Sequence, residues 1–156
     1  MRIVIVRVVD GWAAHATAVL RAAGYRSGGA RAAVVDFLGR EECCVSAQQV
    51  HEGIRRDGRA VGVASVYRVL DLLLALGLVQ RVDVGGDVAM YEAVHPDGAH
   101  HHHLVCGDCG RVERFTDDGL ERALHGLGER VGYAVAGHDV TLRGACGDCR
   151  PTAAPP

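Results

Sequence analysis

Two Cys-x-x-Cys pairs, Cys106/Cys109 and Cys146/Cys149, both reading C-G-D-C, stand 36 residues apart and constrain this chain more than any other feature. Four thiolates in two such pairs match a closed tetrahedral zinc site, with each sulfur about 2.3 Å from the metal. Gly and Asp between the cysteines suit the tight turn that aims both sulfurs of a pair at one ion. Zinc ribbons usually space their pairs by about 15 to 20 residues, so the longer gap here has to contain folded structure. The rival is a redox dithiol, which sits at a helix start after a strand, and nothing in the sequence repeats that pattern twice. Cys43 and Cys44 stand apart as neighbours.

The zinc reading presumes a reducing compartment, where disulfides are disfavoured. No apolar run reaches the roughly 18 residues of a membrane span. The opening MRIVIVRVVDG lacks a continuous apolar core and a small-residue cleavage site, which argues against a secretory leader. We therefore expect a cytoplasmic chain with no membrane partner. Its 156 residues suffice for one domain or two small ones, and 49% hydrophobic residues suffice for a packed core. Charge favours two. Residues 1–81 hold 11 Arg against 7 Asp and Glu, a net of +4, whereas residues 82–156 hold 6 against 12, a net of −6. A weakly basic first half and an acidic, His-rich second half point to different tasks.

Along the first half, WAAHATAVLRAA (12–23) is helix-forming and stops at Gly24. A second helix is expected over about 29–39, with Val34, Val35 and Leu38 as its apolar stripe. Ser46 with Gln49 is a capping-box pattern, and Val50 and Ile54 follow at helical spacing. In VASVYRVLDLLLAL (63–76), Val66, Val69, Leu70, Leu73 and Leu74 share one face and Gly77 ends the helix. LVQRVDVGGDVAMYEAV then alternates around Gly85-Gly86, which reads as the two-residue turn of a β-hairpin.

Short helices followed by a hairpin outline a winged helix-turn-helix, in which the last helix before the wing enters the major groove of DNA. With Val66 inward, Ala64, Arg68 and Asp71 turn outward, flanked by Ser65 and Tyr67. Arg68 suits guanine or phosphate, and Ser65 and Tyr67 suit phosphate oxygens. Arg31 is a further candidate contact. The plainer reading makes Tyr67 a packed edge and Arg68 a solvated tip.

In the second half HHHHLV (100–105) reads as a strand. Side chains alternate along a strand, so His101 and His103 face one way and His100 and His102 the other, and one strand can serve two metal sites. DDGLERALHGLGERV is expected as a helix with Glu121 and His125 on one face, and VAGHDVTLRGAC as a strand opened by His138. A solvated polar strand is the alternative. A zinc hydrolase or deaminase needs H-E-x-x-H, or H-x-E with P-C-x-x-C, and both are missing. We expect no enzyme and no small-molecule substrate. A metal storage or protein-interaction module is the alternative function, but it leaves the first half without a role.

AGYRSGGARAAVVDFL, VSAQQVHEGI, VASVYRVLDLLLALGLVQRV, Tyr91-Glu92, HHHHLVCGDCGRV and GHDVTLRGACGDC together resemble the ferric uptake regulator (Fur) family over about residues 12–149. The resemblance implies a homodimeric, metal-dependent repressor of the α+β class that binds double-stranded operator DNA. A winged-helix domain at 12–92 would be joined by a hinge at 93–99 to a dimerisation and metal-binding α/β domain at 100–149. An extension of unassigned role at 1–11 and a disordered tail at 150–156 complete the chain.

Carried over residue by residue, the resemblance assigns structural Zn(II) to the four cysteines and a dimerisation-domain site to His100, His102, Glu121 and His138. It assigns a hinge site to Glu92, His101 and His103. At the remaining hinge position, usually His, this chain has Cys44, and His95 is the other candidate. Arg114 stands where the family often has an acid. The regulatory ion is left open between Zn(II), favoured by a Cys44 thiolate, and Fe(II), favoured by nitrogen and oxygen donors, with Mn(II) or Ni(II) behind. Cys44 also fits the commoner fate of a free cysteine, a small buried apolar side chain.

Overall fold

The structure, a computed structural model of the full chain, describes residues 11–26, 28–96 and 101–150. These residues form two compact units, 11–96 and 101–150. The expectations for residues 1–11, most of the hinge, His100 and the tail beyond 150 fall wholly or mainly outside the described residues.

The first unit runs α1 (Trp12–Ala22), α2 (Gly29–Leu38), β1 (Val45–Ser46), α3 (Ala47–Arg56), α4 (Val63–Ala75), β2 (Val79–Val82) and β3 (Met90–Ala93). The local signals act where the sequence places them. At α3 the Ser46 side chain accepts the Gln49 backbone N–H at 3.1 Å, and the Gln49 side chain accepts the Ser46 N–H at 2.8 Å. This reciprocal cap satisfies two donors that the first turn leaves open. Gly77, at φ +67°, turns the chain out of α4.

Trp12, Ala16 and Leu20 of α1, Val34, Val35 and Leu38 of α2, Val50 and Ile54 of α3, and Val66, Val69, Leu70 and Leu73 of α4 bury one shared core, closed by Tyr91 of β3. Trp12 Nε1 donates to the Leu78 carbonyl at 3.1 Å, tying α1 to the start of the hairpin. α2 and α3 approach closely enough that a Cβ on Gly53 would stand 2.0 Å from the buried ring of Phe37. The helices carry a small antiparallel sheet of order β1-β3-β2, the wing of a winged helix-turn-helix.

The wing departs from the expected two-residue turn. Its register is Val82↔Met90, Arg81↔Tyr91, Gln80↔Glu92 and Val79↔Ala93, and the ladder ends at Val82 and Met90. A turn centred on Gly85-Gly86 would instead set Gln80 opposite Tyr91. The Asp83 carboxylate accepts the Gly85 N–H at 2.8 Å, a local turn that competes with the ladder, and both glycines adopt positive φ. A one-residue shift of this kind changes which side chains become neighbours.

The second unit contains β4 (His102–Cys106), β5 (Val112–Phe115), α5 (Asp118–Val131) and β6 (Thr141–Gly144) in a sheet of order β5-β4-β6. β5 pairs antiparallel to β4, and β6 pairs parallel to it. α5 supplies the crossover that a parallel pair requires. The Asp117 side chain accepts the Leu120 N–H at α5's start, and Gly132, at φ +75°, ends the helix. β6 is shorter than expected: residues 133–140 have no regular structure, and His138 precedes the strand instead of opening it. The chain first passes α5 at Gly128, where a Cβ would meet Val135 at 2.6 Å.

This unit buries little by itself. Leu104, Leu127, Val131, Tyr133, Val135 and Leu142 are exposed. Among the described residues no helix is long and apolar enough to cross a membrane.

Candidate metal centres and the exposed helix

Parallel pairing of β4 and β6 explains why two distant Cys-x-x-Cys pairs meet. Cys106 is in register with Gly144, and the Gly107 N–H donates to the Gly144 carbonyl at 2.9 Å, so both pairs leave the sheet at the same end. Each then forms a tight turn. Gly110 N–H donates to the Cys106 carbonyl and Cys149 N–H to the Cys146 carbonyl, both at 3.0 Å.

The four sulfurs lie within 4.8 Å of one another, and Cys109 and Cys146 are 3.7 Å apart. A tetrahedron with about 2.3 Å metal–sulfur bonds has edges of about 3.8 Å. The Cys146 N–H donates to Cys106 Sγ at 3.3 Å. That bond, with a second from the Cys109 backbone, lowers the Cys106 thiol to about 6. Hydrogen bonding with Cys146 and then Cys109 pushes Cys149 up to about 12. Four sulfurs this close hold protons between them, and a divalent cation at their centre removes the conflict. The donor set fits zinc.

Arg111 was not singled out in the sequence, yet it braces this centre. Its Nη2 lies 2.7 Å from Asp148 Oδ2, joining the chain after the first pair to the turn of the second. The guanidinium also opposes the negative charge of four thiolates. Its sequence signal was only that an Arg follows C-G-D-C-G.

A second donor set forms beneath the sheet. Glu121 on α5 lies with Oε1 2.7 Å from His102 Nε2 and Oε2 3.1 Å from His138 Nε2. The two imidazole rings are 5.2 Å apart, and Phe115, the cross-strand neighbour of His102, covers the first at 5.4 Å. His102 is 1% exposed. Two imidazoles and a carboxylate suit a divalent ion of zinc or first-row type. His125 takes no part: it is exposed on α5, 3.7 Å from Glu129.

His101 and His103 behave as the alternation predicts, their rings 5.1 Å apart. Arg114 is the cross-strand partner of His103, so a cation shares its face of the sheet. In the first unit, Glu92 of β3 is buried at 4% exposure, with Gln80 Nε2 3.4 Å from its Oε2. Continuing the Val45↔Tyr91 register by one residue sets Cys44 across from Glu92. Cys44 is buried, and its thiol is pushed far up by its hydrogen bond with Cys43, then by burial, the charge of Cys43 and that of Glu92. His95 is half-buried and belongs to no cluster of three or more candidate ligands among the described residues.

On α4, Ala64, Tyr67, Arg68 and Asp71 are exposed and Ser65 is half-buried, while Val66, Val69 and Leu70 face the core. Val63 is also exposed. Arg31 is more constrained. Its Nε donates to the Arg26 carbonyl at 2.9 Å, and its guanidinium stacks on Tyr25.

The family model described as "Ferric uptake regulator family" matches residues 22–143. The chain is 38% identical over 106 residues to the ferric uptake regulation protein of Legionella pneumophila, covering 68% of this chain and 76% of that protein. Its fold is similar to the crystal structure of the Vibrio cholerae ferric uptake regulator, described for a rearrangement of its DNA-binding domains. The TM-score is 0.74 at 30% identity, over 83% of this chain and 98% of that one. It is similar also to the regulator from Pseudomonas aeruginosa solved with manganese, with a TM-score of 0.67 at 30% identity, over 83% and 96%.

Proposed function

The chain belongs to the ferric uptake regulator family, and on that footing we propose that it is a cytoplasmic, homodimeric repressor whose grip on operator DNA depends on metal. One observation supports this reading above the rest. A single chain combines an α4 whose Tyr67 and Arg68 project into solvent with a second unit that brings His102, Glu121 and His138 together.

We assign α4 to the major groove, with Arg68 reading a base or phosphate and Tyr67 and Ser65 contacting the backbone. Arg31, tied to Arg26 and Tyr25, is left at most a phosphate contact. The apolar side chains exposed on the second unit, Leu104, Leu142, Val131 and Tyr133 among them, support a homodimer, because a lone unit of this size buries too little apolar surface to be stable. Cys106, Cys109, Cys146 and Cys149 hold a structural zinc. His102, Glu121 and His138, with His100 from the sequence, hold a second ion.

The regulatory ion is assigned to Glu92, His101 and His103, with Cys44 or His95 completing the set, and residues 93–99 act as the hinge. Metal there supplies a bond between donors on either side of the hinge. A 100-fold gain in DNA affinity requires about 2.7 kcal/mol of coupling. The P. aeruginosa relative was solved with manganese, and for this chain Zn(II) and Fe(II) are the leading candidates.

Operator selection followed by gel shift tests the reading. The protein should retain a selected duplex over arbitrary DNA, and Arg68→Ala should weaken that binding by about 1 to 3 kcal/mol with the zinc content unchanged. Equal binding to both duplexes, or an unaffected Arg68→Ala variant, contradicts it.

A further inference from the structure

Cys43 and Cys44 lie in the segment between α2 and β1, in a different unit from the four zinc-site cysteines. In an extended chain, adjacent side chains leave opposite faces, which would hold two neighbouring sulfurs apart. Here the backbone bends at residues 42 and 43, and the two Sγ atoms stand 3.9 Å from each other with no disulfide between them. Cys43 is half-buried and Cys44 is 5% exposed, so one sulfur is within reach of solvent and the second lies behind it. Val45 and Ser46 pair with β3 and Ser46 caps α3, so the position of Cys44 is fixed from its C-terminal side.

This pair is poorly suited to a disulfide. Adjacent Cα atoms are about 3.8 Å apart, below the roughly 4.4 Å minimum of ordinary disulfides. It is also poorly suited to zinc as a site of its own, because two sulfurs supply half of a tetrahedron. A larger soft atom that binds sulfur from one side and needs few ligands meets neither obstacle.

We propose that Cys43 and Cys44 form a dithiol site for a trivalent thiophilic metalloid of the arsenical class. An As–O bond of the hydrated arsenical is replaced by an As–S bond to Cys43, and the thiol proton leaves with the oxygen as water. The same exchange at Cys44 closes the ring. Two As–S bonds form, two As–O bonds break, two waters leave and no electrons are transferred. The second step is intramolecular, so its effective concentration far exceeds that of a free thiol. The site does not rest on the DNA-binding reading, but it shares Cys44 with the hinge set, so an arsenical held there competes with a regulatory ion that uses the Cys44 thiolate.

The test uses the full chain with its zinc in place and phenylarsine oxide as the probe. Cleavage after Arg40 and Arg55 releases residues 41–55 with both cysteines and no others. Mass spectrometry should find one phenylarsenic per chain on that peptide, with the zinc content unchanged. The adduct should survive excess glutathione, a monothiol, and be stripped by a small dithiol such as dimercaptopropanol. Cys43→Ser, verified as folded by circular dichroism, should lose glutathione-resistant labelling. Labelling confined to the Cys106–Cys109 or Cys146–Cys149 peptides with loss of zinc, absence of an adduct, or undiminished labelling of Cys43→Ser overturns the proposal. The wild-type peptide map decides even if the variant does not fold.

Discussion

Glu121 reaches from α5 to place one carboxylate oxygen 2.7 Å from the buried Nε2 of His102, and its second oxygen reaches His138. Glu121 is therefore the residue that holds this donor set together, and Glu121→Ala should cost one exchangeable ion per chain and leave the four-cysteine zinc in place. Elemental analysis before and after mild chelation reads both. An unchanged exchangeable ion would show that these residues are only a hydrogen-bonded cluster.

The four-cysteine centre should respond to acid. The metal-free thiols bind protons that the zinc-bound sulfurs do not, so lowering the pH favours the free form. With Cys149 raised to about 12, zinc affinity should fall as pH drops from 8, and more steeply below about 6, where Cys106 also takes a proton. Competition with a chromophoric chelator across that range measures the slope. Cys109→Ser should lose the zinc and the dimer together, because a closed metal site is coupled to folding. A stable zinc-free dimer would contradict the structural role.

Much of this was legible in the sequence, for local reasons. Gly24, Gly77 and the Ser46/Gln49 cap mark helix ends by chemistry confined to a few residues, and the helices begin and end within a residue or two of those signals. The wing register was not legible, because the Asp83 side chain and the Gly85 N–H settle it between themselves. VAGHDVTLRGAC reads as one strand from Val135, yet the chain must first pass Gly128 of α5, and only from Thr141 does it pair with β4. His102, Glu121 and His138 could be named from the family pattern. The bracing of the cysteine centre by Arg111 and the contact of Gln80 with Glu92 depend on strand pairing, which spacing does not encode.

Gly53 tests the packing of α2 on α3. Its missing Cβ leaves room for the Phe37 ring, which is 8% exposed and has little space to swing aside. Gly53→Ala should destabilise the first unit by about 1 to 3 kcal/mol, the usual cost of overpacking, despite the better helix propensity of alanine. Thermal unfolding of the two proteins decides. A stabilised variant would mean that the two helices can move apart.

Cys44 tests the identity of the regulatory ion. Its burial and its hydrogen bond with Cys43 favour the protonated thiol, which is no ligand until a metal displaces the proton. If a thiolate completes the set, Cys44→Ser should lose the Zn(II) response of operator binding and keep the Fe(II) response. If both responses persist, Cys44 is a packing residue, and nitrogen and oxygen donors, hence Fe(II), carry the regulation.

Metal dependence of operator binding is the central claim, and a single titration addresses it. Operator affinity is measured for the zinc-containing dimer after mild chelation and again with Zn(II) or Fe(II) restored, with dimer state and residual zinc monitored throughout. The account predicts about 100-fold tighter binding with the exchangeable ion present, equivalent to about 2.7 kcal/mol. Equal affinity in the two states, with the dimer and its structural zinc intact, would contradict it.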